Sequence, residues 1–543
     1  MNLLAEKTVV LDKNSLKAFR EKAGKLKPEL RYTMKLPADL IRIERDGLEW
    51  KSRREADISE LPKLALKKND KICLDFGEHM VGYLSFSIKA VNALPDAPAF
   101  LRLKFGEKLC EIAEERENYS GILSSSWIQE EYFHVDVMPA VIMLPRRYAF
   151  RYLEIMVIDT SSEYEVSIDK VVCKTVSSAD LSAVPKFVSD NKLLCEIDRV
   201  SVKTLYDCMQ DVFEDGPKRD RRLWIGDLKL QALANYETFK NYDLVKRCLY
   251  LFAGLVDKRG RVCACVYTVP DLVPADFALF DYSLLFVSCL YDYYRETGDR
   301  AFLQELYPTA RRQLILSEER LDDDFIVRDS DDWWCFIDWN DRLNKQAGAQ
   351  AVFIYTLKQA RRLAVALGED TDEYDKLIQR MSNAAKALLW DREAGFFVSG
   401  RERQISWASQ IWFVLAGVFD MEENRALLLR MLDSNLDIKL KTPYMYHYLI
   451  EAMLQSGMEE AAFDYLQKYW GGMLADGADC FYEIYDMEDK MASPYGSRII
   501  NSYCHAWSCT PAYFIRKYKN QANNVKVQIS SEWELDSRRS ILE

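Results

Sequence analysis

The chain has 543 residues, more than one ordinary core accommodates, so two or more domains are expected. Hydrophobic residues make up 49%, which predicts a globular fold, and the net charge of −12 comes from interspersed acids and bases, which argues against a nucleic-acid groove. No apolar run approaches a membrane span, and the N-terminus lacks the basic-then-apolar pattern of a signal peptide.

Residues 14–28 are basic and polar and predict a short helix. Short alternating runs follow at 71–76, 82–89, 100–105, 130–136 and 152–158, separated by Gly, Pro and Asn. They read as strands of an antiparallel β-sandwich over residues 1–185. Near residue 185 the period turns helical. Helices are predicted over 192–210, 227–239, 244–257, 282–297, 301–317, 346–367, 372–390, 407–415, 422–432, 444–456, 459–469 and 502–517. Paired helices over 186–520 suggest a closed ring of hairpins, an (α/α)6 barrel, or an open solenoid. No strict repeat is present, which weakens the solenoid. The tail, 521–543, holds a possible strand at 525–530.

Chemistry concentrates in the connections. Residues 211–227 hold five acids, four cations and a tryptophan. A sugar presents hydroxyls to charged groups and an apolar face to an aromatic ring, so this mixture suits a carbohydrate cleft. Asp215, Asp220 and Asp227 supply acids, Arg219 and Arg221 orient them, and Trp224 forms a wall. The plainer reading is a charged helix N-terminus facing its dipole. Residues 331–341 interleave Trp333, Trp334 and Trp339 with four acids, Asp338 among them. Glu483 lies between apolar and aromatic neighbours, a setting that tunes a general base if it is desolvated; the plain alternative is a solvated acid on a helix edge. His505 is one of four histidines and has Trp507 two residues on.

Thirteen cysteines at irregular spacing predict free thiols in a reducing cytoplasm. Cys263 and Cys265 lack the second ligand pair of a zinc site, so no metal is expected.

Several of these segments resemble motifs of bacterial α-L-rhamnosidases of glycoside hydrolase family 78, the six-hairpin glycosidase type. The family's Asp-Cys-Pro-x-Arg-Asp-Glu-Arg-x-Gly-Trp-x-Gly-Asp is similar to Asp215-Gly-Pro-Lys-Arg-Asp-Arg-Arg-Leu-Trp-Ile-Gly-Asp227, which is one residue shorter. Gly477-Ala-Asp-Cys-Phe-Tyr-Glu483, Ile337-Asp-Trp339 and His505-Ala-Trp507 resemble its later motifs, and Gly82-Tyr-Leu84, Phe105-Gly-Glu107, Ser126-Trp-Ile-Gln129 and Arg146–Tyr152 resemble the preceding sandwich. The resemblance spans about residues 65–517, and the family's usual C-terminal β-domain is missing or reduced to the tail.

The resemblance implies a cofactor-free, inverting hydrolysis of a terminal α-L-rhamnosyl or related sugar; a helical barrel with an appended sandwich is compatible with either a monomer or a homodimer. Glu483 would be the general base and an opposed acid, Asp227 or Asp220, the donor, with the carboxyls roughly 6.5–9.5 Å apart. Asp215, Arg219, Trp224, Trp334, Asp338, Trp339 and His505 would hold the sugar. One departure bears on the chemistry: the family's general-acid Glu is Arg221 here, and a guanidinium donates no proton at neutral pH. A neighbouring acid takes over, or Arg221 pairs with a uronic-acid carboxylate, or the protein binds sugars without cleaving them.

Overall fold

The computed structural model describes residues 3–4 and 12–519. The possible strand at 525–530 lies outside the described residues.

The N-terminal strands are β1 (Arg31–Lys35), β2 (Asp39–Asp46), β3 (Glu49–Asp57), β4 (Lys71–Val91), β5 (Ala99–Gly106), β6 (Glu130–Val135), β7 (Ala140–Met143), β8 (Tyr148–Asp159) and β9 (Glu165–Ser177). They form one antiparallel sheet in the order β1-β9-β4-β8-β5-β6, with β2 and β7 also bonded to β4 and β3 to β2. The sheet curls on itself because the 21-residue β4 serves two layers: Lys71–Asp75 pairs with β8 and Gly82–Val91 pairs mainly with β9. Ile72, Leu74, Phe86, Leu101, Phe150 and Ile168 from both layers share one core. The sequence reads this stretch as two strands. It is one strand bulged between Asp75 and Met80, and Gly77 turns the bulge at φ 81°, a left-handed conformation that side chains disfavour.

The helices are α1 (Lys13–Lys25), α2 (Leu109–Ala113), α3 (Lys192–Cys208), α4 (Ile225–Glu237), α5 (Tyr242–Gly254), α6 (Phe280–Thr297), α7 (Arg300–Glu318), α8 (Gln346–Leu367), α9 (Asp372–Ala384), α10 (Trp407–Ala416), α11 (Met421–Asp433), α12 (Pro443–Gln455), α13 (Glu459–Ala475) and α14 (Pro511–Lys519). From α3 onward they make six hairpins. The even-numbered helices contact one another in sequence, α4 to α6, α8, α10 and α12, and α14 returns to α3 and α4 to close the ring. Composition follows position. Helices α4 and α10 are buried on every side, whereas α9 and α11 bury only a stripe, such as Tyr374, Leu377 and Met381. The predicted α1 exists, and it packs on α5 of the ring, with Phe19 and Ala23 in the ring's core.

Ring topology places the site. In a closed ring of antiparallel hairpins every connection from an outer to an inner helix emerges at the same end. The segments 209–224, 319–345 and 476–510 are all of this kind. The helix predicted over 502–517 is corrected: α14 begins at Pro511, a residue suited to a first helical turn, and residues 502–510 form an extended segment with one short turn at Ala506–Ser508. That leaves His505 on a loop at the ring mouth. Among the described residues no helix is long and apolar enough to cross a membrane.

Candidate active site

The mouth of the ring contains a hollow of about 170 Å³. Its lining includes nine of the eleven residues singled out in the sequence: Asp215, Arg219, Asp220, Trp224, Asp227, Trp334, Trp339, Glu483 and His505. Larger hollows of about 590 and 520 Å³ lie against the sheet, and neither contains these acids.

Glu483 is buried, and it does not sit alone among apolar neighbours or on a helix edge. Arg219 Nη2 and Tyr495 OH donate to its two carboxyl oxygens, and the Ser502 amide donates to Oε2 at 3.4 Å. A carboxylate offers about four acceptor positions. Three are filled, two on Oε2 and one on Oε1. The loop carrying Glu483 is itself held, because its amide donates to Ser502 O at 2.9 Å and Trp507 Nε1 donates to its carbonyl at 2.9 Å. Burial and the Glu483 charge raise the Tyr495 pKa, so the phenol keeps its proton and acts as donor.

The opposite acids are arranged differently. Asp215 accepts the amides of Asp220 at 3.2 Å and Arg222 at 2.9 Å. Asp227, in the first turn of α4, is fully enclosed, and its Oδ1 has no hydrogen-bond partner. The His505 ring stands between them, Nδ1 3.7 Å from Asp227 and Nε2 3.8 Å from Asp215, too long for hydrogen bonds. Burial and the nearby charge of Arg219 push the His505 pKa well down, so the ring is neutral. Burial raises the Asp227 pKa well above the ordinary range, and the neighbouring Asp215 and Glu483 add to it. Asp215 is also raised, to about 8, by burial and by Asp220. Two amide donors favour charge on Asp215, and none serves Asp227 Oδ1, so the surroundings favour the neutral form more at Asp227 than at Asp215. Gly226 permits this position: a Cβ there would lie 2.3 Å from the Tyr282 ring, so only glycine lets the start of α4 approach it.

Asp220 lies between Arg222 (3.3 Å) and Arg219 (3.8 Å), which favour its charged form, although burial raises its pKa overall. Trp224, Phe277, Phe336 and Trp339 give the hollow its aromatic walls.

Two expectations need correction. Arg221 does not line the hollow. At φ 62° its side chain turns away and donates to the carbonyls of Arg147 (3.0 Å) and Lys218 (3.3 Å). Burial and Arg147 lower its pKa to about 10, so it remains a cation, satisfied by backbone. Because Arg221 is not part of the hollow's lining, the uronic-acid reading is not favoured. Asp338 does not line the hollow either. It is buried and accepts from Thr442 Oγ1 (2.7 Å), the Lys441 amide (2.8 Å) and the Trp339 amide (3.0 Å), and burial raises its pKa to about 6. It fastens the 331–341 loop to the start of α12 and so fixes Trp339.

The sequence reading missed Tyr495, Phe277, Leu279, Tyr282 and Phe336, all of which line the hollow or hold Glu483. The one signal for Tyr495 was an aromatic inside the turn-rich Ser493-Pro-Tyr-Gly496. The sheet's part was missed as well. Lys218 Nζ donates to Glu111 and to Asn501 O and lies 3.2 Å from Glu107, which accepts the Tyr503 amide at 2.7 Å. Residues after β5 thereby brace both walls of the hollow.

A closed helical ring whose mouth gathers buried acids within aromatic walls is an arrangement suited to a glycoside hydrolase. The chain matches the family model of the bacterial alpha-L-rhamnosidase 6 hairpin glycosidase domain over residues 182–519, and that of the glycosyl hydrolase family 78 alpha-rhamnosidase N-terminal domain over residues 37–175. It belongs to that rhamnosidase family and is a glycosidase. A solved rhamnosidase from Klebsiella oxytoca with rhamnose bound is 45% identical, with a TM-score of 0.90, covering 93% of this chain and 99% of its own. The family 78 rhamnosidase of Bacillus sp. GL1 (22% identity, TM-score 0.71) and the Streptomyces avermitilis alpha-L-rhamnosidase complexed with L-rhamnose (18%, 0.63) share the fold. They cover 86% and 90% of this chain, which spans 49% and 44% of their lengths. No curated protein matches the chain.

Proposed function

We propose that this enzyme releases a terminal α-L-rhamnosyl unit, or a closely related 6-deoxy sugar, from an oligosaccharide or glycoside with inversion at the anomeric carbon. Glu483 is the base: Oε1 takes a proton from a water, which attacks the anomeric carbon. Asp227 is the acid and protonates the departing oxygen, the part that the Glu of the family motif plays where Arg221 stands here. Arg219 fixes the base, Asp215 accepts a sugar hydroxyl, and Asp220 with His505 lines the ring's polar edge. Trp224, Trp334 and Trp339 face its apolar side, and Phe277 with Leu279 leaves an apolar place for the methyl group.

The observation that carries the reading is the enclosed Asp227, whose Oδ1 has no hydrogen-bond partner, in the same hollow as a Glu483 carboxyl held by Arg219 and Tyr495. No step calls for a cofactor. The division at residue 185 and a cytoplasmic location belong to the same reading, the latter because all thirteen cysteines are free thiols. The test is an aryl α-L-rhamnoside followed by proton NMR during the first turnovers. The β-anomer of free rhamnose should appear first. First release of the α-anomer would make Glu483 or Asp227 a nucleophile, and absence of release would remove the substrate assignment.

A further inference from the structure

A second cluster, which the hydrolysis does not use, lies outside the lining of the hollow. His79 from β4, Asp207 from α3, Cys480 from the loop of the proposed base and Cys504 beside His505 meet in the interior, all four buried. One ligand-type atom from each lies within 4.8 Å of every other. His79 Nδ1 is 2.7 Å from Asp207 Oδ2, and Cys480 Sγ is 3.5 Å from the same oxygen. Zinc bound tetrahedrally at 2.0–2.3 Å sets its ligands about 3.3–3.8 Å apart, so side-chain rotations of about 1 Å convert this group into a coordination shell.

We propose that His79, Asp207, Cys480 and Cys504 form a structural zinc site. Three observations support it. The donor set, two sulfurs with an imidazole and a carboxylate, is of a kind that selects zinc over the hard cations. The other nitrogen of His79, Nε2, faces Glu107 Oε1 at 3.1 Å. That is the arrangement in which a carboxylate orients a metal-binding imidazole and raises its basicity. The four residues come from four segments far apart in sequence, which a shared ion would tie together.

Lys203, which donates to Asp207 and to His79 O at 2.6 Å, already places a cation beside the cluster. Coordination through sulfur displaces the protons of the Cys480 and Cys504 thiols to solvent. No redox change is involved, and the proposal is independent of the sugar assignment.

The test uses the full chain, stripped with a chelator under a phosphine reductant and then titrated with Co²⁺. We expect about one equivalent bound, a thiolate-to-cobalt charge-transfer band, the visible bands of a tetrahedral ion, and loss of both on adding Zn²⁺. Calorimetry of Zn²⁺ binding in buffers of different ionisation enthalpy should report protons released from the cysteine ligands. Glu107→Gln, which removes no ligand, should weaken the metal about 10–100-fold, and Cys504→Ser should abolish the thiolate band. Absence of stoichiometric binding, a spectrum without thiolate transfer, or an unaltered spectrum in Cys504→Ser would overturn the site. The wild-type spectrum decides the question even if the variants fail to fold.

Discussion

Asp227 and Glu483 are both buried acids, and their surroundings separate their roles. Glu483 is surrounded by donors, whereas Asp227 has none on one oxygen. Glu483→Gln should lower kcat about 10²–10⁴-fold with the fold retained, the ordinary range for a lost general base; circular dichroism and steady-state kinetics check this. Asp227→Asn should cost a similar factor on alkyl glycosides, and Asp220→Asn much less, because Asp220 is engaged by two guanidiniums. The pH dependence has a definite sign. Asp227 has a raised pKa in the folded protein, so its protonated form, and the stability that accompanies it, is present at low pH and lost as pH rises through that value. Activity should therefore fall on the alkaline side, and Asp227→Asn should gain thermal stability over wild type as pH increases, as melting curves across a pH series will show. Arg221→Gln should leave KM for neutral glycosides within about 2-fold, since that guanidinium is bonded only to backbone carbonyls.

At the scale of elements, much of the architecture was legible. Long amphipathic or wholly apolar helices such as α8 declared themselves through their period, and α8 agrees with its predicted limits. The segment 502–510 misled because Tyr503, Ala506, Trp507 and Cys509 are apolar at helix-like spacing and buried, although only Ala506–Ser508 forms a short turn. Strands β1 and β3 escaped because their sides face solvent, so β1 shows no alternation of burial. The site was legible as a set of residue types, and nine residues converged as expected. Arg221 and Asp338 did not, since sequence shows that a charge sits in a motif but not which way a left-handed backbone turns it. Asp338 works through its element: Asp338→Ala would leave the Lys441 and Trp339 amides and the Thr442 hydroxyl short of an acceptor. Loss of about 1–3 kcal/mol per buried donor left unpaired is the usual scale. The loop should loosen, with KM rising more than kcat falls in initial-rate measurements.

For the molecule as a whole, the sheet is part of the active-site frame. Lys218 crosses from the catalytic segment to Glu111 and Glu107, and Arg498 pairs with Glu114 from the same region. Lys218→Met would leave two enclosed carboxylates without their cation, a change that costs about 3–5 kcal/mol. Chemical denaturation should register that loss, together with reduced activity at temperatures where the wild type is fully folded.

The central claim is that one hollow holds a proton donor at Asp227 and a base at Glu483. It is tested most directly by kcat/KM of the two variants, Asp227→Asn and Glu483→Gln, over a series of aryl rhamnosides of increasing leaving-group acidity. The account predicts that Asp227→Asn recovers most of its loss with the best leaving groups, which need no protonation, while Glu483→Gln stays impaired across the series. Equal impairment of both variants at every leaving group, or recovery by Glu483→Gln instead, would contradict it.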